Sequence, residues 1–83
     1  MIKLQDIIET YINGNITIAK SEITFWRINK MQIINCTELF GIRKTINILK
    51  SLNVPDVYII NSFHDYDRQN IDEAKTILLH NFY

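Results

Sequence analysis

From Ile2 to Asn13 the apolar residues Leu4, Ile7, Ile8, Tyr11 and Ile12 recur at helical spacing, with Gln5, Asp6, Glu9 and Thr10 on the opposite face. The spacing predicts a first helix over 2–13, ended by Gly14 in a left-handed conformation. Three short runs rich in β-branched residues follow, over 15–20, 22–28 and 31–36, and they read as strands with a tight turn at Asn29-Lys30. A second helix is expected over 38–52 with Thr37 as its N-cap. Its buried stripe is Leu39, Ile42, Ile46 and Leu49, with Arg43, Lys44, Asn47 and Lys50 opposite. Asn53-Val54-Pro55 closes it, because proline cannot continue a helix.

Residues 57–61, apolar on both faces, read as a fully buried strand. After a loop, Asn70 opens a last helix with Glu73 as its capping-box partner. Ala74, Ile77, Leu78 and Phe82 face inward in that reading. The predicted fold class is α/β, a mixed four-stranded sheet flanked by helices in the order α-β-β-β-α-β-α. The third strand, second helix and fourth strand form a right-handed βαβ crossover. All of this fits one domain over residues 1–83.

Composition adds three constraints. Seventeen Ile and nine Asn in 83 residues match what AT-rich codons produce, and a phage or other mobile element is one origin that fits. Nine Lys+Arg balance nine Asp+Glu, which excludes the bulk electrostatic footprint of a typical nucleic-acid binder. One cysteine, Cys36, makes no internal disulfide. Asp6 and Glu9 interrupt the only early apolar stretch, so no signal peptide is read. The longest apolar run, residues 57–60, is too short to span a bilayer. A soluble, cytoplasmic protein without a membrane segment is expected.

The α-β-β-β-α-β order resembles the core of the PD-(D/E)XK nuclease superfamily, which places an acid near the second strand and (D/E)-x-K on the third. Across residues 22–37 the strand–turn–strand spacing is similar. Glu22 takes the first acidic position and Glu9, on the opening helix, an accessory one. Asn35 and Thr37 stand where the second carboxylate and the lysine belong, so the metal lacks an anionic ligand and the attacking water its amine. The resemblance spans residues 2–61 and implies a catalytically inactive derivative.

In such a sheet two loops leave carboxyl ends on one edge, residues 35–37 and 62–67. They would bring Cys36 and His64 together as a thiol–imidazole pair, although a buried apolar cysteine is the plainer reading. His64, Asp65 and Asp67 suit local turn bonding better than metal coordination. Phe63 and Tyr66, aromatic in a polar loop, either close the core or anchor a partner, as do Phe82 and Tyr83. Trp26 reads as core before it reads as a base-stacking platform.

Three functions follow in order of preference. The first is a non-enzymatic regulatory or inhibitory protein acting through protein–protein interaction, as a homodimer, with Phe63, His64, Tyr66, Phe82 and Tyr83 as partner-binding candidates. The second is a nuclease-like nucleic-acid binder using Arg27, Lys30, Arg43 and Lys44. The third is a thiol enzyme built on Cys36 and His64. No cofactor and no metal site are expected. Basic residues gather at 27–50 and acids at 65–73, a polarised arrangement that suits a protein partner.

Overall fold

A computed structural model describes residues 3–80. Among them there is no strand. The elements are α1 (Leu4–Ile12), α2 (Ile16–Phe25), α3 (Lys30–Phe40), α4 (Ile42–Ser51), α5 (Asp56–Tyr66), a single 3₁₀ turn (Arg68–Asn70) and α6 (Ile71–Leu79). The radius of gyration, 11.8 Å, is what a folded chain of this length has, about 12 Å.

The predicted α/β sheet is therefore wrong, and so is the resemblance to the PD-(D/E)XK core. Glu9 lies on α1, Glu22 on α2, and Asn35 and Thr37 on α3, so no sheet edge gathers them. The physical reason is the burial period. Ile33, Ile34 and Thr37 are buried on α3, and Ile59, Ser62 and Phe63 on α5, spacings of three and four residues that only a helix turns to one side. Isoleucine lowers helix propensity by only a few tenths of a kcal/mol per residue, which burial of its side chain outweighs. The residues read as a two-sided strand show the same thing: Val57 is 57% exposed, whereas Ile59 is fully buried.

Local signals define the helix ends. Asn29, expected in a turn, caps α3 by accepting bonds from the amides of Met31 and Gln32. Gly14 has φ +91°, and the amides of Gly14 and Asn15 donate back to the carbonyls of Tyr11 and Thr10, closing α1 as predicted. Asn53 repeats this at the end of α4 with φ 65°. Its amide and that of Val54 donate to the carbonyls of Lys50 and Leu49, and Pro55 then starts α5. The single helix expected over 38–52 is two, because Gly41 at φ 91°, ψ 148° breaks it. That conformation is confined almost entirely to glycine. Thr37 is not a cap but lies buried within α3, its hydroxyl donating to the Ile34 carbonyl. Nor does the Asn70 side chain cap α6. Its amide donates to Asp67 Oδ2 at 2.9 Å.

Helix α3 is central and packs against α1, α4 and α5, while α6 covers α4 and α5 and α2 leans on α1. The core contains Leu4, Ile7, Ile8, Ile33, Ile46, Leu49, Ile59 and Phe63, each with no exposed surface, and Ala74, Ile77 and Leu78 face it from α6 as expected. Two polar ties cross it. Thr45 Oγ1 donates to the Cys36 carbonyl at 3.0 Å. Gln32 Oε1 accepts from the Leu4 amide at 2.9 Å and from Trp26 Nε1 at 3.2 Å. Gln32 thus supplies α1 with the N-terminal acceptor that its own sequence lacks. No helix among the described residues is long and apolar enough to cross a membrane.

Candidate functional site

The all-helical packing scatters most of the residues singled out by the sequence. Phe63 is core on α5, with no surface to offer a partner. Tyr66 and His64 are exposed at the end of α5. His64 Nδ1 lies 3.4 Å from Asp65 Oδ1, and Arg68 Nε donates to the His64 carbonyl at 3.2 Å. Phe82 and Tyr83 lie outside the described residues. Trp26 is 9% exposed, with its indole N–H on Gln32, which leaves little of its ring for stacking a base.

Cys36 and His64 are not brought together. Helices α3 and α5 pack together, but Lys30 at the start of α3 pairs with Asp65, beside His64. Six residues of helical rise, about 9 Å, then carry Cys36 away from that end. Cys36 is 2% exposed. Burial, and secondarily the Glu9 carboxylate, push its thiol from 9.0 up to about 11, so at neutral pH it holds its proton and is a poor nucleophile. Among the described residues no three His, Cys, Asp or Glu side chains gather as metal ligands.

The basic quartet is split. Lys30 Nζ lies 2.7 Å from Asp65 Oδ2, an acid whose pKa is lowered by hydrogen bonds from Lys30 and then His64. Arg27 lies between α2 and α3, whereas Arg43 and Lys44 open α4. The whole length of α3, about 16 Å, separates the first pair of cations from the second. The sequence-level charge polarity is reduced as well, since Lys50 pairs with Asp56.

A groove of about 810 Å³ remains, lined by Tyr11 and Ile12 from the end of α1, by Phe40, Gly41 and Ile42 at the α3–α4 joint, and by Arg43, Lys44, Asn47, Ile48 and Ser51 along α4. Each side arises from local sequence. Gly14 stops α1 just after Ile12, and Gly41 turns the chain so that Phe40 and Ile42 flank the break. Space above Gly41 is open, since a Cβ placed there would meet nothing within 4 Å. Ile12 is 40% exposed, and Tyr11, Phe40 and Ile42 are partly buried against the core. The rim is basic, and no carboxylate of the described residues lines the groove.

Of the residues chosen from the sequence only Arg43 and Lys44 belong to it. Tyr11, Ile12, Phe40 and Ile48 carry no chemical signal of their own in the sequence. The apolar pair around a glycine, Phe40-Gly41-Ile42, is the signal that marks the joint. Compared with known protein families, curated proteins and solved structures, the chain matches none, so the chemistry of this groove carries the functional argument.

Proposed function

We propose that the protein is a small non-enzymatic regulatory or inhibitory module of the cytoplasm that acts by engaging a protein partner through the groove between α1 and α4. One observation carries this reading. A groove lined by Tyr11, Ile12, Phe40 and Ile42 over the buried Ile48, and rimmed by Arg43 and Lys44, matches the apolar centre and polar rim of interaction sites. A raised thiol pKa at Cys36 and the distance of His64 from it argue against the thiol-enzyme alternative. The separation of Arg27 and Lys30 from Arg43 and Lys44 argues against a continuous track for a phosphate backbone.

Affinity capture from a native cell extract, with and without nuclease, tests the proposal using two surface variants. Ile12→Glu in the groove should abolish retention of the partner protein. Leu39→Glu, on the exposed side of α3 away from the groove, should leave it intact, and nuclease should change neither result. Retention by Ile12→Glu, or retention that disappears with nuclease, would refute the proposal.

Self-association is the second reading, supported by Ile18 and Phe25. They lie seven residues apart on the outer face of α2, 53% and 78% exposed, where two helical turns bring them into line. Sedimentation of wild type against Phe25→Glu checks it, with a fall from dimer to monomer as the expected outcome.

A further inference from the structure

Resting on the reading of the groove as a protein-docking surface, we infer that its occupant is an amphipathic α-helix of about three turns, with acidic side chains at the end that lies over Arg43 and Lys44. Length is the first argument. Lys44, Asn47, Ile48 and Ser51 line the groove at intervals of three and four residues, so one face of α4 forms a straight wall. From Gly41 to Ser51 that wall runs about 15 Å, the length of a ten-residue helix. The facing wall, Tyr11 and Ile12, is apolar, and Phe40 and Ile42 close the end nearest the cations. A ridge of side chains spaced i, i+3, i+4 and i+7 fits such a trough.

Charge is the second argument. Arg43 and Lys44 are both exposed, and no carboxylate of the described chain lies within ion-pair distance of either. Asp65 and Asp56 are committed to Lys30 and Lys50. The amides at the start of α4 add positive potential at the same end. A basic helix would set like charges together over an apolar floor, a repulsion strengthened as water leaves. A carboxylate there would instead meet two donors. The selection is for negative charge beside Arg43 and Lys44 and for apolar side chains against Tyr11, Ile12, Phe40 and Ile42.

The test uses two synthetic helices of about fourteen residues, side-chain stapled, with the same Leu face. One has three Glu at one end, and the other has Lys at those positions. Each is titrated into the isotope-labelled full chain and followed by NMR and by fluorescence anisotropy. The Glu helix should shift the resonances of Tyr11, Phe40, Gly41 and Ile48, bind about tenfold more tightly than the Lys helix, and weaken as salt rises. The double variant Arg43→Glu, Lys44→Glu, at exposed positions that leave the core intact, should reverse the preference. Equal binding of both helices in the groove would overturn the charge selection and leave the docking reading standing. Groove resonances that respond to neither helix would overturn both. Tighter engagement of the same residues by a DNA duplex or by phosphatidylglycerol vesicles would overturn the inference in favour of a polyanion or a lipid surface.

Discussion

Helices α2 and α3 are near neighbours in sequence, and both mix Ile with polar side chains, yet they have opposite fates. On α3 Ile33, Ile34, Cys36 and Thr37 are buried against three other helices. On α2 only Ala19 is fully buried, while Ile16, Ile18 and Phe25 are exposed. What separates them is position in the bundle, since α2 rests mainly on α1. A β-branched residue stabilises a helix only when the helix has something to pack against. The same contrast sets the peripheral face of α2, with its exposed Ile18 and Phe25, apart from the buried face of α3.

The largest expected effect sharpens that contrast directly. Ile33→Ala, at a site with no exposed surface, should cost about 2–5 kcal/mol in chemical denaturation. Ile18→Ala on the outer face of α2 should stay within about 0.5 kcal/mol. Equal losses would break the comparison.

Next comes pH, acting on the buried side of α3. The folded pKa of Cys36 is raised from 9.0 to about 11, so the protonated thiol is favoured in the folded chain. That contribution is fully present below pH 9.0 and lost as pH rises towards 11. The stability difference between wild type and Cys36→Ala should therefore change between those values by on the order of 2 kcal/mol. A pH-independent difference would place the thiol in water.

Gly41→Ala should destabilise by about 1–3 kcal/mol through backbone strain alone, since no neighbour is near enough to clash. Groove binding should weaken with it, because the same residue sets the angle between Phe40 and Ile42. Gln32→Leu removes the acceptor shared by the Leu4 amide and Trp26 Nε1. A loss of about 1–2 kcal/mol with a shift in Trp26 fluorescence should follow, loosening α1 and, through it, α2.

The smallest effect belongs to Asp65→Asn, which removes the exposed pair with Lys30. Its loss should be slight and vanish at high salt. The lowered pKa of Asp65 makes this contribution present above the ordinary carboxylate range and lost as pH falls through the folded value.

Legibility followed the range of the interactions. The first helix, its end at Gly14 and the inward face of α6 were readable, because spacing and caps act within four residues. The groove was half readable. Arg43 and Lys44 stood out as cations, but Tyr11 and Phe40 come to line one groove only when α1 packs beside the α3–α4 joint. The Gln32 tie, spanning 28 residues to Leu4, had no local signature at all. The four runs taken for strands failed because short apolar Ile-rich segments satisfy a two-residue period and a helical one almost equally.

By itself, then, the sequence determined where helices can start and stop, through Gly14, Asn29, Asn53 and Pro55, and how much apolar surface must be buried. Only the tertiary structure decided that the Ile-rich segments coil instead of pairing as strands, which of them reach the core, and that Arg43 and Lys44 rim an apolar groove. The physical reason is that a cap is satisfied by its own neighbours, whereas the choice between helix and strand for a β-branched run depends on what lies against it.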